Sequence, residues 1–532
     1  MMKNRLTDEE FRDYLVDGFV VIEPSSLGED FHDFLYLKAD GIYQLARAAK
    51  SKTSHLDIIG DNLRAQIPSI DRLIKDPQID GALTSILGEN YQLHPHNFVH
   101  RSGTADQGFH QDGNLPWNER GHYRSHRPDW AILFYYPQEV TLANGPTEVL
   151  PGTQYWTIDN EKPDGDWYRG DSLDRSSDQN VLSGDDLVAR DLQLSKEVQS
   201  LGVPDIERRF LTLSKGCAVI CNYDIFHRGS RFETGGLARY MFKFHFMRTQ
   251  DPQQASWDHR KPDIDLGGVR GDLKPVISQL WNWSRADREG KSNESADMEK
   301  VNQDLLDGSE NKRVEAAYLL SEMNDSLAID YLLRGLNHEN ESIRRAACHG
   351  LRASTDTNVT ELVKLTQSER AGIRRMSVYA LGDSTYSKNK EVVDTLIERL
   401  RQDPDDLVRS NSAYALGHLA RGEPKYSGHI IDVLIERLAK GIESNNTEVA
   451  LMPRSTVRQS IAYGLVQSAA NQDFSSAQIE RLVEAGLDDD DRYVQGLTVE
   501  ALRLIGNIES VTLSKILAIL ARTRLSASPV WH

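Results

Sequence analysis

The sequence predicts a multidomain chain, an α+β half whose sheets close on a cavity followed by an all-α solenoid. Three observations predict it. Residues 1–260 carry strand-length apolar runs mixed with a few helical stretches. From 306 to 525 a nine-residue frame recurs with helical spacing. Residues 261–305 between them turn polar, with Gly267-Gly268, Gly271 and Ser284-Arg-Ala-Asp-Arg-Glu-Gly-Lys-Ser-Asn-Glu-Ser295, and read as a linker. One hydrophobic core does not fill 532 residues, so a division is expected on length alone.

The chain opens with Met1-Met-Lys-Asn-Arg-Leu-Thr-Asp-Glu-Glu10, which leads straight into an amphipathic helix without the apolar stretch of a signal peptide. A cytoplasmic protein is the resulting expectation. Helices are expected near 28–50 and 68–87, and strands at Gly18-Phe-Val-Val-Ile22, Trp130-Ala-Ile-Leu-Phe-Tyr-Tyr136, Cys217-Ala-Val-Ile-Cys221 and Tyr240-Met-Phe-Lys-Phe-His-Phe246. Asn144-Gly-Pro146 and Leu150-Pro-Gly-Thr153 are turn signals. The polar stretch from Asp159 to Arg209 reads as a lid or substrate-binding insertion. In the linker, Leu280-Trp-Asn-Trp283 offers a docking point to either neighbour.

The repeating frame appears at Ile343–Leu351, Ile373–Leu381, Val408–Leu416, Val457–Leu465 and Val494–Leu502, at intervals of 30, 35, 49 and 37 residues. Each copy has a branched apolar residue, Gly or Ala seven places on and Leu eight on. A second apolar helix follows, as in Val392-Val-Asp-Thr-Leu-Ile-Glu-Arg-Leu400. Such a pair cannot bury its own apolar face and must stack on its neighbours. The units resemble short HEAT repeats, with Val314–Leu320 as a looser terminal unit and 526–532 as a tail. A small residue at the seventh position lets two helices approach closely and carries no chemistry.

No run approaches the roughly 18 apolar residues of a membrane span. The net charge of −18 repels phosphate backbones and argues against nucleic acid as a partner. Three cysteines, Cys217, Cys221 and Cys348, are an odd, sparse set that suits packed thiols in a reducing compartment. The pairs His94/His96 and His122/His126 read as surface or capping histidines, since nothing nearby completes a ligand set. Asp488-Asp-Asp-Asp491 lacks the spacing of a calcium loop and reads as an inter-helix turn.

The chemistry concentrates in Gly108-Phe-His-Gln-Asp-Gly113 and Cys221-Asn-Tyr-Asp-Ile-Phe-His-Arg-Gly-Ser230. His110 and Asp112 are two apart, so on a strand they point to one face, and His227 arrives from a distant strand end. Two histidines and one carboxylate on one face of a metal leave the opposite positions open, as Fe(II) requires to take up a chelating oxoacid and dioxygen.

Read in order, Phe109–Gly113, Ala143–Thr153, Gly216–Gly229 and Ala238-Arg-Tyr240 resemble the successive signature blocks of the phytanoyl-CoA dioxygenase family, over about residues 10 to 250. The resemblance implies a double-stranded β-helix (jelly-roll, cupin-like) fold and an Fe(II)- and 2-oxoglutarate-dependent dioxygenase. His110, Asp112 and His227 then correspond to the metal triad, and Arg239 to the arginine whose fork takes the distal carboxylate of 2-oxoglutarate. Its spacing of 12 from His227 is slightly long for the family, which leaves Arg228 and Arg231 as alternatives. Gln111, between two ligands, should face away from the metal if the segment is extended, whereas the resemblance implies a turn towards the cofactor; Thr147 would donate its hydroxyl to the oxoacid, and Trp130 would wall the pocket. Where the family commonly has an upstream lysine, this chain has His100-Arg101. Asp112 occupies the place that halogenating members give to a small residue, so oxidation of a C–H bond is implied rather than halogenation.

The implied substrate is a small or acyl-type molecule, or a protein recruited by the repeats. Trp117, Tyr123, Tyr155, Trp156, Trp167 and Tyr168 surround the blocks and fit either a substrate cavity or aromatic core. The competing reading is a non-catalytic scaffold, in which the solenoid offers a concave binding face and the first half is a degenerate oxygenase fold. Intact ligands and Arg239 speak against it.

Overall fold

The computed structural model describes residues 4–48, 63–104, 106–112, 124–159, 161, 173, 187–233, 237–287, 297–323, 325–354, 358–422, 424–440, 456–489 and 491–520. A capping box at Thr7 and Glu10 starts the first helix, Asp8–Asp17, and Gly18 ends it in the left-handed conformation. Helices Glu29–Ala48 and Pro77–Leu87 follow. The described residues contain nine strands, β1 Phe19–Ile22, β2 Gln92–Leu93, β3 Phe98–Arg101, β4 Trp130–Tyr135, β5 Thr147–Val149, β6 Arg209–Phe210, β7 Ala218–Asn222, β8 His227–Gly229 and β9 Tyr240–Met247, of which β1, β4, β7 and β9 coincide with the expected runs.

They form two antiparallel sheets. The larger has the order β1-β7-β4-β9-β2, with β3 also pairing β9, and the smaller has the order β6-β5-β8. The register sorts the larger sheet's two faces. Leu133 opposes both Ile220 and Phe244, and this face packs under the helices around Phe11, Leu35 and Leu83. Ile132 opposes Cys221 and His245, and Phe134 opposes Val219 and Lys243, so the other face looks towards the smaller sheet. The continuous apolar runs of β4 and β7 follow from burial on both faces. All three cysteines are buried free thiols.

Residues 274–284 depart from the linker expectation. They form a helix, Lys274–Ser284, whose Trp281 packs with Trp257 and Phe11 in the first half's core, next to Val314 and Tyr318 of the solenoid. Val276, Ile277, Leu280, Trp281 and Ser284 share its buried face at helical spacing. The solenoid also starts earlier than 306, with the helix Met298–Asp307.

The frame-bearing helices form one layer: Glu310–Met323, Glu341–Ala353, Ala371–Leu381, Asp406–Leu419, Thr456–Ala469 and Arg492–Ile505. The seventh-position glycines sit where helices touch. A Cβ on Gly350 would lie 2.6 Å from the Ala317 carbonyl, and one on Gly464 would lie 3.0 Å from the Ala413 carbonyl. The alternate helices form the second layer, and Asp491 caps the last frame helix.

The frame layer is not an open concave face, which corrects the binding-surface expectation. It is filled by the chain's own first half: Arg345 donates to the Ile158 carbonyl, Arg127 pairs with Asp383, and Trp130 stacks on Tyr463. His94 and His96 are likewise not at the surface; both are buried against Tyr493 of the last frame helix. Among the described residues, no helix is long and apolar enough to cross a membrane.

Candidate metal centre

The ligand set grows from a bridge between two extended segments. His110 and His227 exchange both backbone hydrogen bonds, at 3.0 Å each. Directly opposed residues leave a sheet on the same side, so the two imidazoles project together with ring centres 4.7 Å apart. Asp112, two residues on, joins them: one ligand atom from each of the three lies within 4.8 Å of the others. His110 Nδ1 lies 2.8 Å from the Gly108 carbonyl and His227 Nδ1 lies 3.0 Å from the Ile225 carbonyl. A carbonyl only accepts, so Nδ1 carries the proton in each ring and Nε2 keeps its lone pair for a metal. Burial lowers the His227 pKa to about 3 against the opposing pull of Asp112, which keeps the ring neutral.

The two turns predicted from sequence brace the strand that carries His227. Gly145 has φ +77°, and a Cβ there would lie 2.5 Å from the Ser230 carbonyl. Only glycine allows that approach. Leu150 donates to the Phe226 carbonyl at 2.9 Å, and the Thr153 hydroxyl accepts from Phe226 N at 3.1 Å.

Asp112 splits its two oxygens. Oδ1 lies 3.8 Å from His227 Nε2, whereas Oδ2 lies 2.5 Å from Lys243 Nζ and 3.9 Å from His245 Nε2. Burial alone would raise this carboxyl, but the Lys243 ammonium beside it holds the group well below the usual carboxylate range. Sequence reasoning missed Lys243. The available signal was period two along β9, since Arg239, Met241, Lys243 and His245 alternate with the core residues Phe242, Phe244 and Phe246.

Arg239 is buried with its guanidinium over the Tyr136 ring, 5.8 Å from the centroid. Its Nε and Nη1 have no hydrogen-bond partner among the described residues, and burial lowers its pKa. A guanidinium nonetheless stays charged in a protein. Tyr136 donates to Thr147 Oγ1 at 2.8 Å, and burial pushes its phenol up to about 12, so it remains a neutral donor. Thr147 opposes Gly229, two residues along from His227 and so on the same face of the smaller sheet. The other two arginines are engaged elsewhere: Arg228 pairs with Glu148 at 2.7 Å, and Arg231 with Asp106. Of the three, Arg239 alone presents an uncompensated fork.

Two predicted cofactor residues are not brought to this place. Gln111 points away and donates to the Asp224 carbonyl at 2.6 Å, as alternation along an extended segment requires. Trp130 lies at the far end of β4, opposite Met247, and its Nε1 donates to Tyr414 of the solenoid at 3.2 Å. Tyr155 and Trp156 are packed in the core. Trp117, Tyr123, His122, Trp167, Tyr168 and residues 160, 162–172 and 174–186 of the 159–209 stretch lie outside the described residues, and 187–200 is helical.

Two overlapping stretches, residues 300–382 and 359–452, match the family model of HEAT repeats. No curated protein matches the chain. Solved structures similar to it include EctD from S. alaskensis with bound Fe, at 14% identity over 47% of this chain and 84% of that one, with a TM-score of 0.31. Another is SnoK, a non-heme alpha ketoglutarate dependent carbocyclase from nogalamycin biosynthesis, at 15% identity over 46% and 85%, with a TM-score of 0.31. A third is HygX from Streptomyces hygroscopicus with nickel and 2-oxoglutarate bound, at 15% identity over 50% and 94%, with a TM-score of 0.30. Similarity at that level identifies neither a reaction nor a substrate.

Proposed function

We propose that the first half is an Fe(II)- and 2-oxoglutarate-dependent dioxygenase with a double-stranded β-helix fold of the phytanoyl-CoA dioxygenase type, hydroxylating a C–H bond of its substrate. The observation that carries this reading is the pairing of a three-ligand face with a buried, uncompensated guanidinium. His110 and His227 offer oriented Nε2 lone pairs and Asp112 offers Oδ1. Arg239 offers two free donors to a carboxylate that arrives with the co-substrate. A closed structural metal site has no use for such an arginine.

When bound, Fe(II) with 2-oxoglutarate and dioxygen supplies oxidative decarboxylation to succinate coupled to oxidation of the substrate. The protein's own contribution is geometry and exclusion of water. Lys243 holds the outer oxygen of Asp112, so that the inner one faces the metal position. Phe134 and Ile132, opposite Lys243 and His245, keep that wall dry. A small or acyl-type substrate fits this reading. A protein recruited by the repeats would have to use their outer layer, since the frame layer is covered. The test is anaerobic addition of Fe(II) and then 2-oxoglutarate to the purified protein, followed by air. A 2-oxoglutarate-dependent charge-transfer band and dioxygen-dependent succinate are expected; absence of both would sink the enzymatic reading.

A further inference from the structure

Seven consecutive residues, 124–130, join the metal centre to the helical half. Arg124 begins them. Its Nη1 donates to the Asp112 carbonyl at 3.0 Å and to Asp224 Oδ1 at 2.8 Å, while Ser125 N donates to Asp224 Oδ2 at 2.9 Å. Asp224 lies three residues before His227, and its carbonyl accepts from Gln111. One guanidinium therefore staples the segment bearing His110 and Asp112 to the segment bearing His227.

The other end of this strap is held by the repeats. Tyr379 donates to the Arg124 carbonyl at 3.4 Å. His126 lies flat on His349, with ring centres 3.6 Å apart, and bonds Tyr318 at 2.9 Å. Arg127 pairs with Asp383 at 2.6 Å and donates to the Arg352 carbonyl. Asp129 pairs with Arg421 at 2.7 Å, and both side chains are buried. A buried ion pair tolerates little slippage, because separating the partners leaves a charge without compensation.

We propose that Arg124 is a positioning residue for the metal centre, and that the HEAT half acts in cis on the metal ligands through the strap 124–130. The solenoid then completes the catalytic half rather than serving as a recruiting arm. The proposal rests on the metal-site reading above. Partners of this outer kind commonly control about 10- to 100-fold in metal affinity.

The test uses the full-length protein and Co(II), read by its ligand-field absorption without 2-oxoglutarate or dioxygen. Arg124→Met and Arg421→Gln are expected to bind Co(II) about 10- to 100-fold more weakly with an altered band shape, and Tyr379→Phe less severely but in the same direction. Lys390→Ala, which removes an exposed pair with Asp394 on an outer helix, should match wild type. Melts by circular dichroism on the same samples separate this from loss of fold. If Arg124→Met or Arg421→Gln does not fold, Tyr379→Phe, which loses only a hydroxyl, decides. Folded strap variants with wild-type affinity and spectrum overturn the proposal alone. A wild type that binds no Co(II) overturns the metal centre and the strap proposal with it.

Discussion

Replacing Arg239 with methionine should weaken 2-oxoglutarate binding severely while leaving the ligand-free protein as stable as before, or more so. The two effects have opposite signs because the guanidinium is buried and waiting for a partner. Arg239 is 3% exposed, and two of its nitrogens have no partner among the described residues. A buried unsatisfied donor costs about 1–3 kcal/mol, and the ring of Tyr136 beneath the cation returns about 0.5–2 kcal/mol. Methionine fills a similar volume without the charge, so the ligand-free change should fall between neutral and about 2 kcal/mol stabilising. With 2-oxoglutarate present the balance reverses. Removing one partner of a buried, hydrogen-bonded charge pair costs about 2–5 kcal/mol, which is about 30-fold to several thousand-fold in Kd. The assay is a thermal melt of metal-free protein beside an anaerobic titration of Co(II)-loaded protein with 2-oxoglutarate. A variant that binds 2-oxoglutarate within about threefold of wild type, or one whose metal-free form is clearly destabilised, would refute the assignment of Arg239 as the anchor.

Lys243→Met should destabilise the metal-free protein by about 3–5 kcal/mol, because Asp112 would stay buried without its cation. Saturating Co(II) takes over that neutralisation, so the metal-induced rise in Tm should be larger in the variant than in wild type; equal rises would count against it. Glu322 is raised from 4.5 to about 7 by burial, so the folded state keeps a proton that the unfolded state releases, and stability is lost as pH rises from 4.5 to about 7. Glu322→Gln should therefore match wild type near pH 4 and exceed it at pH 8 by up to about 3 kcal/mol in denaturant melts, and a pH-independent difference would contradict the burial argument. Gly350→Ala should cost about 1–3 kcal/mol by driving a Cβ into the Ala317 carbonyl. Gly428→Ala, with nothing within 4 Å, should instead gain about 0.4–1 kcal/mol; similar denaturation midpoints for the two would remove the close-packing account.

Strands β1, β4, β7 and β9, the early helices and the shared face of His110 and Asp112 were legible because each depends on local pattern. Period two places His110 and Asp112 together, and continuous apolar runs mark the doubly covered β4 and β7. Arg239 was legible only as one of three arginines. Its selection depends on where Glu148 and Asp106 lie in space, and no spacing in the chain encodes that. Gln111 and Trp130 miss the site for two different reasons: alternation, which is legible in sequence, sends Gln111 to the face opposite His110 and Asp112, and strand length carries Trp130 to the far end of β4. Lys243 could have been found by extending period two from Arg239 along Tyr240–Met247. The helix Lys274–Ser284 could have been found as well, because Val276, Ile277, Leu280, Trp281 and Ser284 fall on one face at helical spacing inside a stretch whose composition reads as a linker.

The covered face of the solenoid left a trace in the repeats that the frame positions alone did not use. The sixth place after each branched residue holds His349, Tyr379, Tyr414 and Tyr463 in successive copies. All four are buried, and each meets the first half: His349 against His126, Tyr379 at the Arg124 carbonyl, Tyr414 at Trp130 Nε1 and Tyr463 on the Trp130 ring. An aromatic ring with a polar tip suits a surface that must fill space and also satisfy a donor or acceptor. In a solenoid that meets a transient partner, such a column would lie open as an apolar stripe, which soluble surfaces avoid at this size. The last copy has Glu500 in that place, and there the contact passes to Tyr493 against His96. The column runs along the strap 124–130 and ends where the strap ends. Its extent follows the first half that it supports, with the candidate metal centre, which is what a repeat array shaped around a permanent intramolecular partner requires.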